Sequence, residues 1–222
     1  MDSTAHGSEM PEQNVERILV IPLGKRALDV CLSGVGLLGS SPIWLALAVA
    51  IKREDGGPIF YTQDRVGQGG RVFTVLKFRS MIPHAEAVVG ALQATEEDPR
   101  VTKIGRLMRA TAMDELPQLW NIFRGDMSFV GPRALRPGEI EVAGGALVAL
   151  EDIPGYADRC RVRPGLTGVA QIYAPRDVDR RNKFRYDRVY AERQSFWLDV
   201  RLILLSFWIT FRGRWEHRGD KV

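Results

Sequence analysis

Apolar and polar positions along this chain fall into blocks with different periods. The longest block without a charge runs from Val30 to Ile51, 22 residues. As one straight helix it would reach about 33 Å, enough for a hydrocarbon core of about 30 Å. Pro42 stands near its middle, after Gly39, Ser40 and Ser41. A proline there removes a backbone donor and crowds the preceding turn, and the Ser40 and Ser41 hydroxyls are at hand for the freed backbone groups. Split at that point, the halves would reach only about 18 and about 15 Å. Lys25 and Arg26 precede the block, and Lys52 and Arg53 follow it. Basic flanks favour the cytoplasmic side, so a hairpin that enters and leaves by one face satisfies both ends, whereas a span does not. The expectation is a re-entrant membrane helix-hairpin over 25–53, broken at Ser41 and Pro42, with Lys25 and Arg26 at the membrane interface. A straight span and a buried core hairpin are the alternatives. A cleaved leader fits less well, because the residues before the block are numerous and acidic.

A second apolar block lies near the C-terminus, from Ser195 to Trp215. Its uninterrupted part, Leu202 to Phe211, is too short to span. Trp197, Trp208 and Trp215 with Arg201, Arg212 and Arg214 are residue types that settle at a headgroup boundary. The pattern predicts an amphipathic interfacial helix and basic tail over 195–222, with a core helix as the alternative. Between the blocks, Ile59–Gln63 and Val72–Lys77 read as a β-hairpin around Gly67, Gly69 and Gly70. Val101, Ile104, Leu107 and Met108 have helical spacing. DELPQLWNIF predicts a short helix with Asp114 as N-cap and Pro117 in its first turn. GPRALRPGE and RPGLTG read as loops, and DRRNKFRYDRVYAERQ as an exposed charged helix. The fold expected is α+β and mostly helical: a polar tail over 1–24, the hairpin, a compact cytoplasmic domain over 54–194 with a small β-hairpin, and the interfacial helix.

Composition adds one asymmetry. The formal charge is +4, but residues 155–222 hold fifteen Lys and Arg against eight Asp and Glu, while residues 1–24 hold one against four. A basic C-terminal third favours an anionic partner: phosphate, nucleic acid or a membrane surface. Cys31 and Cys160 form no C-x-x-C pair, and Cys31 reads as a small hydrophobe. His6, His84 and His217 are scattered without metal-ligand spacing, which argues against zinc.

The stretch TAMDELPQLWNIFRGDMSFVGPR, Thr111 to Arg133, carries the candidate chemistry. Asp114 and Glu115 could simply cap a helix. As a nucleophile toward phosphorus, Asp114 would have to stay ionised beside neutralised phosphate oxygens, with attack held in line. Arg109 precedes it by five residues, and Arg133 and Arg176 follow in loops.

The chain resembles the bacterial sugar transferase family, the monotopic phosphoglycosyl transferases that move a sugar 1-phosphate onto a polyprenyl phosphate. The likeness runs from Lys25 to about Arg214. It rests on KRALDV, SSP, GPIFYTQDRVG, FTVLKFRSM, DPRVTKIGRLMR, DELPQLWNIFRGDMSFVGPR, RPGLTG and SFWLDVRLIL, in that order. The resemblance implies that Asp114 attacks the β-phosphate of a UDP-sugar, releasing UMP, and that undecaprenyl phosphate then takes the phosphosugar from the aspartate. It further implies Mg²⁺ near Asp114, with Glu115 positioning metal or substrate, Arg109, Arg133 and Arg176 on phosphate, and Pro132 with Arg133 in a loop at the nucleotide end. Ser41 and Pro42 match the family's helix-breaking pair. Ala134 departs from the family's second proline, which puts the rigidity of that loop in doubt. Lys77 and Arg79 read first as scaffold, and Asp126 and Glu139 are spare acidic candidates for the metal. The implied setting is the cytoplasmic membrane of a bacterium, with lipid as a partner and a homodimer left open. The rivals are a membrane-bound Mg²⁺-dependent phosphohydrolase and a non-enzymatic basic module. The C-terminal aromatics sit in an apolar run and not interleaved on a sheet, so a nucleic acid partner is not expected.

Overall fold

The computed structural model describes residues 18–83, 98–143, 146–175 and 178–212. The expected roles of Arg176, Arg214 and Trp215, the three histidines and most of the polar tail fall outside these residues.

The N-terminal block is a single helix, α1, Leu23–Asp55, 33 residues with Pro42 inside it. The two short helices expected on either side of Pro42 are therefore one. The reason is local. Pro42 offers no N–H to the carbonyl one turn back, Leu38 O, but the Ser41 hydroxyl donates to that same oxygen at 2.8 Å. Ser40 Oγ accepts from Trp44 Nε1 at 3.0 Å. The Ser41 hydroxyl thus meets the carbonyl that the proline leaves without its donor. Gly56, left-handed at φ 71, ends the helix.

The flanking cations also differ from expectation. Lys25 is 5% exposed and donates to Val130 O, Tyr190 Oη and Asp199 Oδ2 at 3.0, 2.8 and 2.8 Å. Arg26 donates to the carbonyls of Ile122 and Phe123. Neither side chain is offered to a headgroup; both bind α1 to the domain. Cys31, read as a small hydrophobe of the apolar block, is exposed.

Strands β1 (Phe60–Val66) and β2 (Val72–Phe78) form the expected antiparallel hairpin, with β1 ending three residues beyond the apolar pattern. Helix α2, Lys103–Ala110, is capped by Thr102. A single 3₁₀ turn, Met113–Glu115, leads into α3, Gln118–Arg124, whose N-cap is Pro117. Asp114 is therefore not the N-cap: the turn it belongs to precedes the helix. Asn121 of α3 reads β2 as a strand partner would, accepting from Leu76 N at 3.0 Å and donating to Thr74 O at 2.8 Å.

RPGLTG is only partly loop. Its Gly165–Thr167 is a strand, β6, parallel to β3, Ser128–Val130. Gly131 and Gly165 permit this contact, since a Cβ on Gly165 would meet Gly131 N at 2.1 Å. A further hairpin, β4 (Ile140–Ala143) and β5 (Ala146–Ala149), was not expected. Short helices α4 (Tyr156–Cys160) and α5 (Val169–Tyr173) follow. The charged helix α6, Arg180–Arg193, is not wholly exposed, because Phe184, Asp187, Tyr190 and Ala191 are buried. Helix α7, Phe196–Phe211, starts at a Ser195 cap. It packs Leu202, Ile203 and Ile209 into the core and leaves Trp197, Leu204, Phe207, Trp208 and Phe211 exposed. The main core gathers β2, α3, β3, α5, α6 and α7 around Ile122, Val130, Tyr190 and Leu202.

Candidate active site

The turn between α2 and α3 sets the site. Thr111 Oγ1 donates to Leu107 O at 2.8 Å and closes α2. Ala112 then adopts a left-handed conformation, φ 55, the only non-glycine among the described residues with positive φ. Such a residue costs about 1–3 kcal/mol and persists where surrounding structure imposes it. It reverses the chain so that Met113–Glu115 turns toward β2. Glu115 Oε1 meets Lys77 Nζ at 2.6 Å. Burial opposes the charge on Glu115, but Lys77 and Arg133 outweigh it and hold this carboxyl below its usual range. Asp114 moves the other way. Burial and the neighbouring Glu115 charge raise it above the ordinary carboxylate range, against the pull of Lys77 and Arg109. The two adjacent acids are thus separated: one held ionised by a lysine, the other poised to gain or share charge.

Arg109, in the last turn of α2, acts on Asp114. Arg133 is exposed and acts on Glu115. Its loop is fixed despite Ala134. Gly131 N donates to Thr167 O at 2.9 Å, Gly165 N to Pro132 O at 2.8 Å, and Val66 N to Leu135 O at 2.8 Å. Arg159 donates to Arg133 O while paired with buried Asp187 at 3.0 Å, and its guanidinium lies 4.9 Å from the centre of the Phe184 ring. Arg65 Nη1 donates to Ala134 O at 3.1 Å. Hydrogen bonds supply the restraint that a second proline would have given.

An open cleft runs from Glu115 past Lys77 and Gln118 to Arg65 and Arg133. Reading the sequence missed Lys77, Arg65, Gln118 and Arg159 as parts of this site. A signal existed for two of them. In the hairpin, Arg65 and Lys77 lie on the face shared with buried Val75, so a period-2 reading places both cations inward. Arg79, in contrast, is scaffold as expected, bonded to Asp55, Pro58 O and Met81 O. Asp126 pairs with Arg124 at 3.2 Å and Glu139 with Arg180 at 2.6 Å. Among the described residues no group of three or more His, Cys, Asp and Glu side chains comes together, so a metal here would rest on the Asp114–Glu115 pair.

A family model for the bacterial sugar transferases matches residues 21–213. The chain is 41% identical over 189 residues to an undecaprenyl-phosphate glucose phosphotransferase of Komagataeibacter xylinus, covering 83% of this chain and 35% of the relative. It is 40% identical over 192 residues to a UDP-N-acetylgalactosamine-undecaprenyl-phosphate N-acetylgalactosaminephosphotransferase of Aeromonas hydrophila, covering 85% and 44%. It is 36% identical over 201 residues to the exopolysaccharide production protein ExoY of Rhizobium meliloti (strain 1021), covering 83% and 85%. The chain thus spans less than half the length of the first two relatives and most of the third. With a family model matching nearly all the described residues and a relative 36% identical covered over most of its length, the chain belongs to the bacterial sugar transferase family.

Proposed function

We propose that this chain transfers a sugar 1-phosphate from a UDP-sugar to undecaprenyl phosphate, releasing UMP, through a phosphosugar held on Asp114. The observation that carries this reading is the adjacent Asp114 and Glu115, shifted in opposite directions by burial and by the Lys77 ion pair, with Lys77, Arg109 and Arg133 acting on them. The names of the relatives supply the substrate class.

In the first step an Asp114 carboxylate oxygen bonds to the β-phosphorus. The bond from that phosphorus to the oxygen bridging the two phosphates breaks, and its electron pair leaves with UMP. In the second step a phosphate oxygen of the polyprenyl acceptor attacks the same phosphorus, and the electron pair returns to Asp114. Lys77 keeps Glu115 ionised, so the acidic pair carries at least one full charge throughout. Arg109 offsets charge where Asp114 bonds phosphorus, and Arg133 faces the nucleotide end. Splitting one transfer in two lets a water-soluble donor and a lipid acceptor use one centre in turn.

Hard oxygen donors without His or Cys suit Mg²⁺, which is commonly held by one or two carboxylates together with substrate phosphates. Asp114 and Glu115 would hold it here. Bound, it would neutralise phosphate oxygens as charge shifts toward the leaving group.

The proposed membrane placement is supported by how α1 is held. At its start Lys25 is tied to Asp199 of α7. At its end Glu54 accepts from Lys103 N at 2.7 Å and Ile104 N at 3.1 Å, and Asp55 pairs with Arg79. Both ends serve one domain, which favours a helix that lies in or dips into one leaflet over one that crosses. Val35, Leu38 and Leu45, with Trp208 and Phe211, form the apolar surface left for lipid.

Purified protein incubated with UDP-sugars, Mg²⁺ and undecaprenyl phosphate is expected to yield UMP and a lipid-linked sugar diphosphate. Free sugar phosphate without lipid product would indicate hydrolysis instead. A radiolabelled donor should leave its label on Asp114 when acceptor is withheld.

A further inference from the structure

The far end of the cleft holds groups that the transfer steps leave unused. Arg65 lies half-buried at the end of β1, its guanidinium fixed by Ala134 O at 3.1 Å and by Gln63 Oε1. Burial, then Arg133 and Arg136, push it down to about 10, and the carboxylate that opposes them, Glu139, is already bonded to Arg180. Arg65 and Arg133 thus gather positive charge at this end of the cleft. Gln118 adds a second, independent sign. It is 5% exposed and lines the same cleft, and its Nε2 has no acceptor in hydrogen-bond geometry, although its amide is close enough to Glu115 to favour the ionised carboxylate. Buried donors are almost always satisfied. An unsatisfied one facing a cleft beside gathered guanidinium groups marks the place of an anionic oxygen.

We propose that Arg65 and Gln118, together with Arg133, bind the α-phosphate of the donor, the phosphate that departs as part of UMP. This inference rests on the transfer reading above and adds the residues that receive the leaving group. As the bond between the β-phosphorus and the bridging oxygen breaks, the α-phosphate gains negative charge. A guanidinium already held by Ala134 O and Gln63 Oε1 needs no reorganisation to meet that charge. It therefore interacts more strongly with the departing phosphate than with the intact donor, which lowers the barrier to the first step.

The test compares UMP with uridine, because only UMP carries the phosphate. Calorimetric titrations of the full chain in detergent would use wild type, Arg65→Gln, Arg65→Lys and Gln118→Met, alongside UMP release from a UDP-sugar. Each neutral variant is expected to weaken UMP about tenfold or more, as loss of a hydrogen bond to a charged group does, with uridine affinity unchanged. In the first half-reaction kcat should fall more than KM rises, and Arg65→Lys should recover part of the loss. Gln118→Met is the decisive variant, since Nε2 has no acceptor in hydrogen-bond geometry within the protein and touches only the field at Glu115. Its melting temperature should hold or rise while UMP binding drops. Unaltered UMP affinity in Gln118→Met and Arg65→Gln would overturn the subsite and leave the transfer reading intact, provided the wild type releases UMP. A wild type that releases no UMP from any UDP-sugar would overturn both.

Discussion

At the scale of one residue, the burden falls on Asp114, whose carboxyl is raised to about 6 by burial and by Glu115. Its ionised form is the nucleophile, so the first step should gain rate as pH rises through about 6 and then level off. Stability runs the opposite way. A folded-state value above the unfolded one means that the native chain binds this proton more tightly. The contribution of that proton to stability is complete below the unfolded value and is lost as pH rises through the folded one. Asp114→Asn should therefore abolish turnover yet melt higher than wild type at pH 7.5, by on the order of 2 kcal/mol. The gap should narrow toward pH 5. Scanning calorimetry at the two pH values checks this, and a variant that melts lower at pH 7.5 would refute the account of the pair. Lys77→Met makes the complementary case. Without its 2.6 Å partner, Glu115 loses the largest influence holding it ionised, and Asp114 loses a neighbour that favours its charge. The acid limb of kcat/KM should move to higher pH, read directly from the pH–rate profile.

At the scale of an element, α1 shows how one side chain offsets a backbone defect. Ser41 supplies to Leu38 O the donor that Pro42 lacks, and the position is exposed. In lipid that carbonyl would find no substitute. Ser41→Ala should cost about 1–3 kcal/mol where Pro42 is present. It should cost little beside Pro42→Ala, whose restored N–H reaches the same oxygen. Thermal unfolding of the two single variants and the double variant in detergent closes the cycle. A Ser41→Ala effect independent of residue 42 would sink the idea. The Ser-Pro pair was legible in the sequence, but its consequence was not. Composition shows a proline and a hydroxyl in sequence, whereas the bond between the hydroxyl and Leu38 O depends on the turn being helical already. The β1–β2 hairpin, α2, α3 and α7 were readable because their periods and turn residues are local. Strands β3 and β6 were not, being three residues each and paired across more than thirty positions. For β4 and β5, Gly144–Gly145 between apolar runs was the available signal.

At the scale of the whole molecule, the site's chemistry was legible as motif, and its support was not. Asp114, Glu115 and Arg109 come from one contiguous stretch, so sequence order already holds them together. Lys25 and Asp199, 174 positions apart, meet only because α1, α6, α7 and β3 converge on Tyr190 and Val130. That convergence supports the proposed topology. A straight helix of 33 residues is about 50 Å long, longer than a hydrocarbon core of about 30 Å. Crossing would carry Lys25 and Glu54 to opposite sides, yet each is bonded to the same domain. Breaking the buried Lys25–Asp199 pair to permit crossing would leave a charge without its partner, at about 3–5 kcal/mol. Single cysteines at positions 24 and 53, in a chain whose exposed Cys31 is changed to serine, are therefore expected to react with a membrane-impermeant maleimide from the same side. Labelling of one position in intact cells and of the other only after lysis would establish a crossing helix and detach the domain from one of its two anchors.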